Sequence, residues 1–311
     1  MKALVTGGAG FIGYPVVKSL LEKGYEVKVL DKVAGDLEKV EDPRLKVIIG
    51  GLEDTDRVQQ AVKGVDVVYH SAWGFAPKAK EAFRTDVEGY INVLDACVEN
   101  GVKHFLFFSS SVIYGVPTYT PIDEDHPLLV EKSRAPLHAL TKLAAENLSH
   151  LYYKEHNLPF TIFRFWWAFS DERVPGGTLR GIIDRILKGE TIEVPKGNGG
   201  SLVYTGDVTN ATHLATLNEK AFGQVFNLAS FFITWEEFID RLITLAESGS
   251  KIKVVPPEKW TGPGLLEGVW EHSIAKAERL LGYKPPEEER KKLFGRVLIR
   301  NIEARRKLQE S

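Results

Sequence analysis

The N-terminal part of the chain is a short apolar run that leads into a glycine-rich turn. Three glycines are spaced three residues apart, at Gly7, Gly10 and Gly13, and an amphipathic segment follows them. A second apolar run then ends in an acid, Asp31. Strand, turn, helix, strand and acid in this order form the layout of a dinucleotide-binding site. The alternative is a glycine-rich turn that holds no ligand, but the ordered elements favour a site.

Each position of the turn has its own physical role. Gly7 lets the chain leave the first strand in a tight turn, Gly10 keeps a Cβ away from a pyrophosphate, and Gly13 lets the helix approach the sheet. The helix N-terminus offers amide N–H groups and the positive end of its dipole to phosphates. We therefore expect the turn, including Phe11 and Ile12, to contact the cofactor.

Asp31 predicts which dinucleotide is bound. A carboxylate at this position accepts hydrogen bonds from the hydroxyls of the adenosine ribose. Its negative charge would also repel a 2′-phosphate. The sequence therefore predicts NAD as the cofactor rather than NADP.

Composition limits the classes of partner. The 311 residues leave room for one large domain or two smaller ones, and a net charge of −2 gives no reason to expect nucleic acid or an anionic membrane surface. The single cysteine, Cys97, excludes an internal disulfide. The N-terminus does not have the form of a signal peptide, and no apolar run reaches the length of a membrane span. We expect a cytoplasmic protein whose partner is a small-molecule substrate, with no bound metal.

Apolar runs alternate with helical patterns through the first half of the chain. Strands are predicted near 2–6, 26–30, 46–49, 65–69, 104–109 and 160–164. Helices are predicted near 12–23, 55–63, 78–99 and 137–156. Strands separated by helices predict an α/β fold with a doubly wound parallel sheet.

The regular alternation of strand and helix patterns ends after about residue 165, where glycine, proline and tryptophan become frequent. Helices are predicted there near 178–188, 235–247 and 274–281, with a charged helix over 287–311. We expect one domain over 1–165 and a smaller substrate-binding lobe over 166–311. The segment near 202–230 is expected to return to the first domain.

Several motifs converge on one family. The chain resembles the extended short-chain dehydrogenase/reductases, in the branch that contains nucleotide-sugar epimerases and dehydratases. The matching segments include Thr6–Gly13, His70–Ala72, Ser109–Gly115, Thr141–Glu146, Leu158–Arg164 and Lys276–Pro285. The resemblance implies a Rossmann-type fold, bound NAD that also contacts Leu52, Ala72 and Lys142, and a homodimer formed by the helices near 78–99 and 137–156.

The resemblance also implies three side chains around the nicotinamide. A Ser holds the substrate oxygen, which here is Ser110, with Ser111 as a second choice. A Lys, here Lys142, binds the nicotinamide ribose. A Tyr four residues before the Lys moves the proton, but that position is His138 in this chain.

His138 has two interpretations. The imidazole can replace the phenol as proton carrier, because a His beside a lysine ammonium has a lowered pKa and is neutral near pH 7. Alternatively, the site has lost or changed its chemistry and His138 only fills space.

Other positions depart from the family pattern at the substrate. Trp167 stands where an Asn usually binds a nucleotide-sugar diphosphate, and the stretch 199–207 lacks the usual Arg. Gly51 replaces an Asp that bonds the adenine amine, so we expect the backbone to do this, and Asp86 replaces an Asn. Trp73, Ser110 and Trp167 are the expected substrate pocket, and Trp166 is expected in the core. UDP- and TDP-hexoses are expected to bind poorly unless Arg173, Arg180 or Lys196 rebuild the site.

Three functions remain open at this point. The first is NAD-dependent redox chemistry, as in an epimerase, dehydratase or dehydrogenase, at a carbinol carbon of a sugar or sugar-like substrate. The second is the same redox chemistry on a small apolar alcohol or ketone. The third is a non-catalytic NAD-binding protein, which the loss of the Tyr keeps open.

Overall fold

The computed structural model describes residues 1–172 and 177–310. The strands are β1 (Lys2–Thr6), β2 (Glu26–Asp31), β3 (Leu45–Ile49), β4 (Val67–His70), β5 (His104–Phe108), β6 (Phe160–Arg164), β7 (Trp167–Phe169), β8 (Ile192–Pro195), β9 (Gly199–Tyr204), β10 (Gln224–Asn227), β11 (Phe231–Thr234), β12 (Ile252–Val255) and β13 (Val269–Trp270). The α-helices are α1 (Gly13–Glu22), α2 (Thr55–Val62), α3 (Ala79–Ala82), α4 (Gly89–Glu99), α5 (Pro136–His156), α6 (Gly177–Leu187), α7 (Thr205–Ala215), α8 (Trp235–Leu245), α9 (Ala275–Leu281) and α10 (Glu287–Glu310).

A seven-stranded parallel sheet organises the larger part of the chain, in the order β10-β6-β5-β4-β1-β2-β3. Its central strands are apolar along nearly their whole length because helices cover both faces. Helices α1, α7 and α9 pack on one face, and α2, α4 and α5 pack on the other. The predicted doubly wound parallel α/β fold is confirmed.

The smaller lobe has its own core. β11, β9 and β13 form a sheet to which β7 adds by pairing with β9, and β12 pairs with β8. Aromatic side chains, among them Trp235, Phe238 and Phe294, fill the space between these strands and helices α6, α8 and α10. The segment 199–204 belongs to this smaller sheet, whereas β10 joins the large one.

The helix expected over 78–99 is not a regular α-helix. A π-helical segment, Phe83–Glu88, separates α3 from α4. Within this segment the Asp86 carboxylate turns inward, where its Oδ1 accepts hydrogen bonds from the Gly74 N–H at 2.6 Å and from the Thr85 hydroxyl at 3.1 Å. π-Helical turns are frequent at functional sites.

A buried ion pair attaches α5 to the large sheet. The Arg164 guanidinium at the end of β6 binds the Glu146 carboxylate, with Nη2 and Oε2 2.6 Å apart. The Ser109 hydroxyl donates to the other carboxylate oxygen at 2.5 Å. Because Lys142 lies one helical turn before Glu146, this pair sets the position of Lys142 against the ends of β5 and β6. Within the described residues, no helix has both the length and the apolar character of a membrane span.

Candidate active site

A cleft of about 900 Å³ lies beyond the carboxyl ends of β1 to β6. This is where an open parallel sheet binds its ligand. The cleft brings together most of the residues that the sequence singled out, namely Gly7, Gly10, Phe11, Ile12, Asp31, Leu52, Ala72, Trp73, Ser110, His138, Lys142 and Trp167. Gly13 and Ser111 do not line it.

The glycine turn leaves no room for side chains. Gly7 has a φ of +68°, and a Cβ there would lie 2.6 Å from the Ala72 amide nitrogen. Gly10 donates its N–H to the Gly7 carbonyl at 3.0 Å. A Cβ on Gly13 would lie 2.8 Å from the Gly7 carbonyl carbon, so the role of Gly13 is close packing beneath the turn.

Asp31 lies at the end of β2 with its carboxylate beside the glycine turn. Its Oδ2 accepts a hydrogen bond from the Ala9 N–H at 2.9 Å, and its Oδ1 accepts from the Val33 N–H at 3.3 Å. These bonds hold the carboxylate at the cleft wall. Its remaining lone pairs are placed to accept from ribose hydroxyls.

Glu53 is a carboxylate in the cleft that the sequence analysis missed. It folds back over Gly51, so that a Cβ on Gly51 would lie 2.5 Å from the Glu53 carboxyl carbon. The bond from its own backbone N–H and the Lys32 ammonium, 3.1 Å away, lower the pKa of this carboxyl. An acid therefore stands where the backbone alone was expected. Glu53 lies two residues after Gly51, the position where the family carries its Asp, so the family motif does not indicate it.

The two candidate serines lie in different surroundings. Ser110 lines the cleft, and its hydroxyl oxygen accepts from the Val112 N–H at 3.2 Å. Ser111 is fully buried. Only Ser110 faces the space where a substrate oxygen could lie. Tyr114 is also fully buried and does not line the cleft, because its hydroxyl donates to Asn227 at 2.7 Å.

Lys142 is a buried cation held among aromatic rings. Its ammonium donates to the Phe108 carbonyl at 2.8 Å and lies 3.6 Å from the centroid of the Trp73 ring. Burial lowers the pKa of Lys142 to about 7, against the opposing effects of Asp86 and Glu146. Lys142 can therefore exchange a proton near neutral pH.

His138 lies one turn before Lys142 on α5, as the helix register requires. Its ring is 4.8 Å from that of Phe75 and 6.4 Å from that of Trp73, between centroids. Burial, with the charges of Lys142 and Arg134, lowers the pKa of His138 to about 3. The imidazole is therefore neutral at pH 7, and its buried Nδ1 has no hydrogen-bond partner among the described residues.

Two tryptophan rings line the cleft beside the smaller lobe. Trp166, expected as core, is half-buried and stacks on Trp270 with the ring planes 10° apart. Trp167 is half-buried against Phe238. Both rings pack into the smaller lobe and also line the cleft, so they combine a packing role with an exposed edge in the site.

The cations proposed as substitutes for a missing Arg are not in the cleft. Arg180 and Lys196 do not line it, and Arg173 lies outside the described residues. Arg134, which the sequence analysis overlooked, does line it. It precedes the N-cap residue of α5 and lies outside the helix, so the helix register gave no signal for it.

The residues present fit a dinucleotide. The glycines leave open the space that a pyrophosphate requires. The acid at the end of β2 suits the adenosine ribose, and the cation at the far end of the cleft suits the second ribose. No group of three or more potential metal ligands occurs among residues 1–172 and 177–310.

Known proteins share this sequence and architecture. Residues 3–229 match the model of the NAD-dependent epimerase/dehydratase family. The chain is 30% identical over 236 residues to a putative UDP-glucose 4-epimerase of Methanocaldococcus jannaschii, with 70% of this chain and 73% of that protein covered. It is 28% identical over 318 residues to a UDP-glucose 4-epimerase of Lactobacillus helveticus, with 93% of each covered.

Solved structures share the fold. The structure of UDP-glucuronic acid 4-epimerase from Bacillus cereus, in complex with UDP-glucuronic acid and NAD, superposes with a TM-score of 0.81. The match covers 99% of this chain and all of that one, at 23% identity.

The lowered pKa of Lys142 predicts a specific pH dependence of stability. Between about pH 7 and the unfolded value of about 10.4, the unfolded chain keeps a proton that the folded chain has lost, so the free energy of unfolding rises with pH. For the ligand-free protein we expect a rise of up to about 1.4 kcal/mol per pH unit from this group. Denaturant unfolding at several pH values between 7 and about 8.5 measures it.

Lys142→Met should remove this rise and raise stability at neutral pH. Lys154→Met, on the exposed part of the same helix, is the matched control and should keep it. If the free energy of unfolding changed with pH in the same way in the wild type and in Lys142→Met, the prediction would be contradicted.

Proposed function

The chain belongs to the NAD-dependent epimerase/dehydratase family, and on that premise we propose that it performs redox chemistry at a carbinol carbon of a sugar or sugar-like substrate other than a standard UDP-hexose. One observation carries the proposal. The same cleft contains the glycine turn and Asp31 at one end and Ser110, His138 and Lys142 at the other.

Bound NAD would supply the hydride acceptor and donor. The chain's own residues would hold it through the turn at Gly7 and Gly10, through Asp31 at the adenosine ribose and through Lys142 at the second ribose. Glu53 adds an acceptor at the adenosine end. Leu52 and Ala72 line the cleft between these points.

Ser110 would orient the substrate oxygen, and two neighbouring groups can carry its proton. His138 is neutral and so can accept a proton, but a pKa of about 3 makes it a weak base. Lys142, with a pKa of about 7, is better matched to proton transfer near neutral pH. The positive charge of Lys142 also stabilises an alkoxide that forms beside it.

The aromatic lining supports a second candidate, which is the same chemistry on a small apolar alcohol or ketone. Trp73, Phe75 and Trp167 offer ring faces that can stack on a sugar or enclose an apolar group. A panel of sugars, uronates and alcohols, followed by the absorbance of the reduced nicotinamide, separates these substrates. An epimerase or a dehydratase returns the hydride to its own product, so the same panel is also analysed by NMR for an altered sugar. Neither reduced nicotinamide nor an altered substrate with any member would favour the non-catalytic alternative. The cytoplasmic location stays a prediction.

We also propose a homodimer. The outward face of α5 carries Leu140 and Leu151, which are 44% and 43% exposed, and Phe83 beside α4 is 39% exposed. Apolar side chains left in water on two neighbouring helices are typical of an interface. Light scattering at micromolar protein should give the mass of a dimer, and Leu140→Glu with Leu151→Glu should give the monomer. A monomeric wild type would contradict this.

Asp31 should determine the choice of cofactor. We expect tight NAD binding and weak NADP binding by calorimetry, because the carboxylate repels a 2′-phosphate. Asp31→Ala should weaken NAD by about 1.5–3 kcal/mol through the lost bonds to a charged acceptor. Asp240→Ala, an exposed acid outside the cleft, is the control and should leave both affinities unchanged. Equal affinity of the wild type for NADP and NAD would show that Asp31 does not discriminate.

The proton carrier can be identified by pH profiles. If it is His138, then His138→Ala should remove about 10²–10⁴ of the rate, and His156→Ala, exposed at the end of the same helix, should remove none. Because the His138 base form is lost only as pH falls through about 3, an inflection near pH 7 would belong to Lys142.

His138→Tyr tests whether the site is built around imidazole. The Phe75 ring lies 4.8 Å from the His138 ring between centroids, so a bulkier phenol would press against it, and we expect this change to lower the rate. A rate in His138→Tyr equal to or above that of the wild type would show that the site still accepts the phenol of the family pattern and is not built around imidazole. A wild-type rate in His138→Ala would exclude His138 and leave Lys142 or a water held by Ser110.

A further inference from the structure

The substrate end of the cleft, meaning the part lined by Ser110, Arg134, His138, Trp166 and Trp167, is rich in hydrogen-bond donors and poor in acceptors. Arg134 is its cation. The side chain is exposed on the rim, and no carboxylate of the described residues forms an ion pair with it. A Cβ on Gly264 would lie 3.6 Å from the Arg134 Cβ, so Arg134 stands where the smaller lobe faces α5.

The start of α5 adds to the positive potential. Arg134 immediately precedes the N-cap residue Ala135, and no side chain caps this 21-residue helix. An uncapped helix N-terminus presents amide N–H groups and the positive end of the helix dipole. The guanidinium and the helix end therefore act on the same side of the cleft.

The aromatic wall contributes donors without partners. The indole nitrogen of Trp166, at this end, is buried and has no hydrogen-bond partner among the described residues. The indole nitrogen of Trp73, whose ring lies over Lys142, is buried without a partner as well. An indole N–H can only donate, so the missing partner must be an acceptor. Buried polar groups of this kind call for a ligand or an ordered water.

The acids that line the cleft lie elsewhere. Asp31 and Glu53 are at the adenosine end, and the Asp86 carboxylate accepts from the Gly74 N–H and acts on the charge of Lys142, not on that of Arg134. The substrate end is therefore positive. An oxyanion satisfies a guanidinium fork, a helix end and unpaired N–H groups together.

We propose that the substrate end is an oxyanion subsite in which Arg134 binds a carboxylate or phosphate of the substrate. The inference rests on the proposed function and specifies its substrate class: an anionic molecule whose charge lies close to His138. Arg134 selects substrate and takes no part in proton transfer. A neutral hexose or a plain alcohol would leave the guanidinium without a partner.

Two pairs of probes distinguish the source of the anion. D-Glucuronate and D-glucose differ in a carboxylate, and UDP and uridine differ in the diphosphate. Titration of each into the NAD-loaded protein, followed by tryptophan fluorescence and calorimetry, gives the preference for the anionic member. We expect at least one pair to show a preference of about tenfold or more. Preference in the first pair identifies a carboxylate, and preference in the second identifies a phosphate.

Arg134→Gln should abolish the preference and leave the neutral member's affinity unchanged, and Arg134→Lys should retain part of it. Arg180→Gln, an exposed arginine outside the cleft, is the matched control and should behave as the wild type. Lack of preference in both pairs, or a preference that survives in Arg134→Gln, overturns the subsite.

NAD affinity measured on the same samples separates the two claims. If wild type and Arg134→Gln bind NAD equally and neither prefers anions, the subsite is wrong and the proposed function stands. If the wild type fails to bind NAD, the proposed function is wrong and the subsite falls with it.

Discussion

The cleft depends on the close approach of Gly7 to the backbone of Ala72. β1 and β4 are neighbours in the sheet, and the chain leaves β1 in the direction of β2, on the other side. A Cβ at Gly7 would lie 2.6 Å from the Ala72 amide, so any larger residue would push the two strand ends apart. The connections diverge at this point, and the divergence opens the crevice in which α/β sheets bind nucleotides.

The chemistry at the other end depends on one buried charge. Lys142 is held under the Trp73 ring and against the Phe108 carbonyl, and the Glu146–Arg164 pair one turn later keeps its helix in place. Burial brings Lys142 close to losing its proton at neutral pH, and its charge helps to keep His138 neutral. On the proposed function, the substitution of His for the usual Tyr would therefore shift part of the proton chemistry toward the lysine.

Local patterns predicted the elements well but not the long-range contacts. The glycine spacing and Asp31 indicated the cofactor end, because a strand, a turn and a helix have short-range signatures. Glu53 lines the cleft with its carboxylate 3.1 Å from the Lys32 ammonium just after β2, and Arg134 lines it where α5 meets the smaller lobe. Both placements depend on tertiary packing, which no motif encodes. The π-helical turn that points Asp86 inward has no periodic signal either.

The central claim is that one cleft places the cofactor's reactive end beside His138 and Lys142. A crystal structure of the protein with NAD tests it most directly. We expect the adenosine ribose hydroxyls on Asp31, the pyrophosphate over Gly10 and the second ribose within hydrogen-bond distance of the Lys142 ammonium. NAD bound outside this cleft, or bound in it with the nicotinamide end away from Lys142 and His138, would contradict the account.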